Sequence, residues 1–279
     1  MKNFIIRALT GIAIVAVQVL CTYLSPISLA ALFLLLTALA VNEFLGLLIK
    51  KGKVRIGRPL IVAGSCYLFF AVWLNSLTEA SLLALFLPYL LFIIFCCVRE
   101  LYNDEGNPIV NLGAIMLSQL YVALPLSLIN LLAFSDCYLY DCSIKYYVFP
   151  LAMYVFLWLN DTGAYLCGSL LGKHKLFPRI SPKKSWEGSI GGAIVAMASA
   201  VAVAHFFPVL NVWQWVGMAL VVVVAGTYGD LTESMIKRSL DVKDSGRMLP
   251  GHGGILDRLD SMLFAIPASV IYLYVLSWW

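Results

Sequence analysis

Charge is what this sequence has least of. Lysine, arginine, aspartate and glutamate together make up 12% of the 279 residues, against 62% hydrophobic residues, and the mean hydropathy is +0.91. No soluble core can bury so large an apolar fraction, which excludes a water-soluble globular domain. Histidine is scarce too. The three, at positions 174, 205 and 252, show neither an HExxH pattern nor Cys/His ligand spacing, so a zinc site is excluded. Alternation of polar and apolar residues is missing: runs such as Leu29–Leu36 and Ala219–Ala225 are continuous, which excludes a transmembrane β-barrel. Internal repeats and low-complexity linkers are absent as well, so residues 1–279 are expected to form a single membrane-embedded domain. Lys2 and Arg7 precede the first apolar stretch as in a signal peptide. No small-residue cleavage site follows, and a retained first span is expected.

What is present in their place is a series of apolar runs. Crossing ~30 Å of hydrocarbon takes roughly 17–25 mostly apolar residues as a helix, and runs of that kind lie at 4–24, 26–49, 59–77, 81–98, 110–133, 146–171, 189–207, 213–231 and 260–277, about nine spans. The fold class is therefore all-α, a polytopic membrane helical bundle. With the N-terminus cytoplasmic and the C-terminus outside, every lysine and arginine except Lys145 falls on the inside, as the positive-inside rule demands. The net charge of +4 suits an anionic inner leaflet. The basic loops are short and carry no nucleic-acid-binding module, so no nucleic acid partner is expected. Cys21, Cys66, Cys96, Cys97 and Cys167 lie in spans as small packing residues. Cys137 and Cys142 fall in the one sizeable outside loop, where they pair in an oxidising compartment or stay thiols.

The two halves differ in chemistry. Residues 1–145 hold few buried polar groups and are expected to be mainly structural, whereas 146–279 hold three polar clusters. In the first, FLWLNDTGAYLCGSLLGK (156–173), Asp161 interrupts a span near its middle. An ionised carboxylate there costs on the order of 3 kcal/mol on insertion scales, so it faces a partner or a water-filled cavity. The stretch 168–174 is one residue short of a P-loop and has His174 where Ser or Thr would bind magnesium, so a P-loop is rejected. The second cluster, FPRISPKKSWEGS (177–189), gathers Lys183 and Lys184 beside Ser181 and Ser185, a set suited to a phosphate. Positive-inside anchoring is the plainer account, but it does not require the charged turn Glu187-Gly188. In the third, GTYGDLTESMIKRS (226–239), Asp230, Ser234 and Lys237 share one helix face at spacings i, i+4, i+7. Beyond it KDSGRMLPGHGGILDRLDS (243–261) ends with Asp257 and Asp260 at i, i+3. Carboxylates on two helix ends can hold a divalent cation together with phosphate oxygens and water. Glycines 253 and 254 let the backbone approach a ligand closely.

The run SMIKRSLDVKDSGRMLPGHGGILDRLD (234–260) resembles the signature of the phosphatidate cytidylyltransferases, in which S-x-x-K-R leads through K-D to H-G-G and D-R-x-D. NDTGAY and SPKKSWEG resemble further motifs of that family, so the resemblance covers most of 156–261. It implies an enzyme of phospholipid biosynthesis, a nucleotidyltransferase that converts CTP and phosphatidate to CDP-diacylglycerol and pyrophosphate with Mg²⁺. It also implies an integral protein of the bacterial inner membrane, with its active site on the cytoplasmic side. Carried onto these residues, Asp230, Asp257 and Asp260 are expected to hold the metal. Lys183, Lys184, Lys237, Arg238, Lys243 and Arg247 offset phosphate charge, Ser181, Ser185, Gly253 and Gly254 contact substrate, and His252 positions a group or handles a proton. Asp161 belongs to the wall of the lipid-facing cavity or to a second cation site. A homo-oligomer is compatible with this pattern. Two other functions are weighed: a CTP-dependent polyprenol-type lipid kinase, which needs a base for its lipid hydroxyl, and a secondary transporter, which would explain intramembrane Asp161 and Glu43. Transporters spread their polar breaks over two related halves, whereas here they crowd into one.

Overall fold

A computed structural model describes residues 2–52, 54–78, 81–134, 145–246, 248 and 253–278, with side chains from residue 10 onward. In chain order the elements are α1 (Lys2–Leu24), α2 (Pro26–Lys51), α3 (Arg58–Leu77), α4 (Leu82–Glu100), α5 (Pro108–Phe134), α6 (Val148–Leu171), the strands β1 (Lys175–Phe177) and β2 (Ser181–Ser185), α7 (Trp186–Phe206), α8 (Val212–Ser239), α9 (Leu256–Leu259) and α10 (Met262–Leu276). The chain is helical as expected apart from one short hairpin, and each of the apolar runs lies on a helix. Among the described residues, seven helical segments are long and apolar enough to cross a membrane. Two runs fall outside that group: α1, whose described apolar part is Thr10–Leu24, and α6, which Asn160-Asp161-Thr162 interrupts. Cys137, Cys142, Arg247 and His252 lie outside the described residues.

Local chemistry sets the helix ends. Ser25 caps α2 in a reciprocal box with Ser28, Pro26 occupies the first turn, and Gly52 closes the far end just after Lys50 and Lys51. Asn107 caps α5 by accepting from the N–H groups of Ile109 and Val110. Asn211 and Gln214 exchange hydrogen bonds of 2.9 Å at the start of α8.

The chain divides into two compact units. The first holds α1 to α5 together with 239–259. Its core is built on α2, which packs against α1, α3 and the middle of α5. There α5 widens into a π-turn over Ser118–Ala123, and Leu124 N–H donates back to the carbonyl of Gln119 just ahead of Pro125. The turn holds Gln119 at the partners that satisfy its buried amide: the nitrogen donates to Ser65 Oγ at 2.8 Å, and the oxygen accepts from the Tyr89 hydroxyl at 3.2 Å. An unsatisfied amide in an apolar interior would cost several kcal/mol, roughly 2–7 depending on the reference state. Most of α4 is exposed and apolar, with Leu83, Leu90, Leu91 and Ile94 outward, the surface a helix offers to lipid.

The second unit holds α6, the hairpin, α7, α8 up to Arg238, and the segment from Asp260 through α10. Its closest pairing is α6 with α7. Gly188, Gly192, Ala196, Ala200 and Ala204 are the buried residues of α7, spaced every four residues along one stripe. Lipid gives helices no hydrophobic reason to associate, so small residues that let backbones touch supply the packing. A Cβ on Gly192 would lie 2.5 Å from the carbonyl oxygen of Asn160, and one on Gly163 would lie 3.0 Å from the Cα of Gly192. On α8, fully buried Trp215 packs against Phe149 and Phe156 of α6. Its indole N–H donates to the carbonyl of Phe207 at 3.0 Å.

Candidate active site

Four polar pieces of the second unit converge: the middle of α6, the hairpin, the C-terminal half of α8, and the turn ahead of α10. The hairpin is short and antiparallel, pairing Lys175 with Ser185 and Phe177 with Ser181. Glu187 ties it to α7, its carboxylate accepting from His174 N–H at 3.1 Å and meeting His174 Nδ1 at 2.6 Å. Ser185 caps α7 by accepting from Gly188 N–H. These contacts fix the strand that carries both lysines. The charged turn Glu187-Gly188 therefore has a structural task.

Lys183, Lys184 and Ser185 line a cavity of 340 Å³ together with Asn160, Asp161, Ser169, Thr227 and Ser261. Asn160 is 5% exposed, and its Oδ1 has no hydrogen-bond partner among the described residues. Lys184 Nζ reaches Asp230 Oδ2 at 2.5 Å, and Ser234 Oγ donates to Asp230 Oδ1 at 3.3 Å. Lys183 has no ion-pair partner among the described residues, which leaves a cation of the cavity wall available to an anionic ligand. Ser181, the first residue of β2, is half-buried and is not part of that wall.

One turn along α8 from Asp230, Glu233 pairs with Lys237 at 2.7 Å, with side chains 1% and 12% exposed. Asp260 completes the group: one carboxylate oxygen from each of Asp230, Glu233 and Asp260 lies within 4.8 Å of the others. Glycine makes this approach possible. A Cβ on Gly229 would stand 2.5 Å from the carbonyl oxygen of Asp260, so α8 can meet the 260–261 turn only where it lacks a side chain. Asp260 Oδ1 also accepts from Ser261 N–H at 2.6 Å. Three carboxylates beside the ammonium groups of Lys184 and Lys237 leave an excess of negative charge in a partly desolvated place. A hard divalent cation bound through oxygen meets that condition, with phosphate oxygens and water filling the rest of its shell. The donor set thus fits magnesium.

The structure brings together Asp161, Lys183, Lys184 and Ser185 around the cavity, and Asp230, Lys237 and Asp260 around the carboxylate group. Arg238 and Lys243 are exposed. Glu233 was not anticipated, although it stands at i+3 from Asp230 and i−4 from Lys237, on the face already singled out.

In the first unit, the segment 239–259 is organised by two carboxylates. Asp257 accepts from the N–H groups of Ser245 at 3.0 Å and Gly254 at 2.8 Å. Glu43 of α2 accepts from Ser245 Oγ at 2.5 Å, Ile255 N–H at 3.0 Å and Leu256 N–H at 3.1 Å. Gly253 has φ +83°, the left-handed conformation that glycine adopts without penalty. The backbone donors after Gly253 therefore have partners within the protein, and Asp257 serves the loop it follows. A larger cavity of 560 Å³ in this unit is lined by Arg55, Arg99, Glu100, Asn103 and Glu105 beside apolar residues, and among the described residues it holds no group of three metal-ligating side chains.

Known proteins show what this arrangement is related to. Phosphatidate cytidylyltransferase of Staphylococcus aureus strain COL is 52% identical over 124 residues, 43% of this chain and 48% of that protein. The Staphylococcus haemolyticus protein of the same name is 50% identical over the same length and shares. In both cases the chain spans about half the length of the relative it matches, 48%. The phosphatidate cytidylyltransferase of Staphylococcus saprophyticus is 36% identical over 203 residues, 72% of this chain and 71% of that protein. The profile described as the cytidylyltransferase family matches residues 5–276, nearly the whole length and every element of the site. With that match, the chain belongs to the cytidylyltransferase family.

Proposed function

We propose that the chain is a phosphatidate cytidylyltransferase, forming CDP-diacylglycerol and pyrophosphate from CTP and phosphatidate. The observation that carries this reading is the carboxylate group of Asp230, Glu233 and Asp260, in the same unit as a cavity walled by two lysines. It is supported by the names of the relatives. An oxygen of the lipid phosphate attacks the α-phosphorus of CTP, a P–O bond forms there, and the bond to the β-phosphate oxygen breaks as pyrophosphate leaves. Two polyanions must meet, so the chief demand on the protein is neutralisation.

Asp230, Glu233 and Asp260 hold Mg²⁺ in this proposal. When bound, the ion acts as a Lewis acid and template on the phosphates. Lys183 and Lys184 receive a phosphate at the cavity, and Lys184 exchanges part of its contact with Asp230 for it. Lys237 balances Glu233, and Arg238 adds positive charge on the same helix; Lys243 and Arg247 are assigned, from the family resemblance alone, to offset phosphate charge. Asp161 and Asn160 form the polar wall of the cavity, with Ser185 at its rim. Ser181 and Gly253 shape their turns, and Asp257 holds Ser245 and Gly254 in the loop before α9. His252 orients a phosphate. A phosphatidate phosphate is already largely ionised near neutral pH, so no strong general base is needed. We place the N-terminus and the catalytic loops on the cytoplasmic side of a bacterial inner membrane, from the one-sided distribution of basic residues, with about nine spans.

Purified protein incubated with phosphatidate, Mg²⁺ and CTP labelled at either the α or the γ phosphorus tests this. The α label is expected in the lipid product on thin-layer separation. A γ label in the lipid would mean phosphoryl transfer, and no label from either position would defeat the proposal.

A further inference from the structure

Glu43 is the only acid in α2, whose other side chains are apolar or neutral up to Lys50. It stands eight residues before Lys51, roughly 12 Å along the helix axis at ~1.5 Å per residue. A carboxylate at that depth needs strong partners, and it has three: the hydroxyl of Ser245 and the N–H groups of Ile255 and Leu256. No lysine or arginine forms an ion pair with it among the described residues. The partners come from more than two hundred residues away in sequence, and all belong to the signature segment. Its fit there is close: a Cβ on either Gly246 or Gly254 would collide with the Glu43 carboxylate. Two glycines of the signature are thus explained by an acid in the half of the chain with the least chemistry.

The geometry points to Glu43 as a positioning residue of the cytidylyl-transfer reaction, tying Ser245 to Ile255 and Leu256 so that the signature segment keeps one arrangement when CTP binds. This rests on the function proposed above. The clamp needs a carboxylate rather than an amide. Both oxygens accept, from three donors in total, whereas glutamine would turn an NH₂ donor toward one of the N–H groups. Asp257 holds the same loop from within, at Ser245 N–H and Gly254 N–H. The two acids together tie Ser245 to the residues on the far side of the loop.

The test compares wild type, Glu43→Gln and Glu43→Asp in detergent, by hydrogen–deuterium exchange and by kinetics. In Glu43→Gln, exchange in the peptide 253–259 is expected to rise about tenfold or more, because one of the two amides held by Glu43 then faces a donor and the tie at the other loosens with it. In the same variant kcat/KM for CTP is expected to fall about thirtyfold, with KM for phosphatidate within about twofold, as binding of the lipid does not run through this loop. Glu43→Asp keeps charge and both oxygens and is expected to recover most of both losses. If Glu43→Gln does not accumulate as folded protein, Ser245→Ala removes one of the three bonds and is expected to move both readouts the same way, about threefold. A fall in kcat/KM without faster exchange would mean that Glu43 meets substrate itself, and faster exchange with unchanged kinetics would mean a structural tie alone. Either result overturns the inference. A wild-type protein that forms no CDP-diacylglycerol defeats the proposed function, and the inference with it.

Discussion

Replacing Asp230 by asparagine should abolish turnover while leaving the fold almost untouched, and the electrostatics of the cluster say why. The three carboxylates lie within 4.8 Å of one another, so at an effective dielectric of about 20 each pair repels by roughly 3.5 kcal/mol or more. Asp230 takes part in two such pairs, about 7 kcal/mol of repulsion on that scale. Its contact with Lys184 at 2.5 Å returns about 6.6 kcal/mol on the same scale. Solvent reduces both figures, since each partner of the ion pair is about 30% exposed, but it reduces them together. Removal of the charge is therefore nearly neutral for the folded protein without a cation. For a bound divalent cation the same substitution is a pure loss. Asp230→Asn is expected to lower turnover at least a hundredfold, equivalent to about 2.7 kcal/mol of barrier, at saturating Mg²⁺. Its midpoint of thermal unfolding in detergent should stay within about 3 °C of wild type, the shift that ~1 kcal/mol produces in a chain of this size. Near-normal turnover would move the cation elsewhere. A drop of about 10 °C or more in the midpoint would show that Asp230 is held for stability rather than chemistry.

Lys183→Gln/Lys184→Gln with two lysines reinstated near His174 keeps the inside charge, so orientation should survive while kcat/KM for CTP or phosphatidate falls about tenfold or more, because a charge held in a partly desolvated site is worth more than one in water; full activity would return the hairpin to simple anchoring. Gly192→Val drives a side chain into the carbonyl of Asn160 and should destabilise the second unit by about 3 kcal/mol, seen as a lowered unfolding midpoint in detergent; an unchanged midpoint would refute the close α6–α7 seam. With the proposed nine spans and an inside N-terminus, an alkaline phosphatase reporter fused after Trp279 should be active, and a well-expressed inactive fusion would sink that arrangement.

The apolar runs made the helices legible, because hydrocarbon thickness imposes one length on every span, and the polar break at Asp161 stood out against so uniform a background. The Asp230 face was legible from helical spacing alone. Glu233 lies on that same face at i+3 from Asp230, but spacing alone does not separate a carboxylate that joins Asp230 and Asp260 from one that only pairs with Lys237 at i+4. Glu43 could be seen as an isolated acid, but its partners are fixed only when α2 and the loop before α9 come together, a long-range packing event with no local trace. For the same reason Gly254 suggested a phosphate. Glycine signals only that something comes close to the backbone, and here what comes close is a carboxylate of the protein's own. The hairpin 175–185 was hidden by the weak strand preference of Ser-Pro-Lys-Lys; contacts from Glu187 and Ser185 stabilise it, not the strand residues themselves.

The alanine and glycine stripe of α7 has a consequence for how the protein meets its solvent. Bilayers differ in thickness and helices answer by tilting, which would carry a loop lysine several ångströms if each helix tilted independently. Backbone contact at Gly163 and Gly192 leaves α6 and α7 little freedom to tilt apart, and β2 runs directly into the first turn of α7. Lys183, Lys184 and Asp161 therefore ride on one paired body, and their mutual spacing is insulated from the lipid around them.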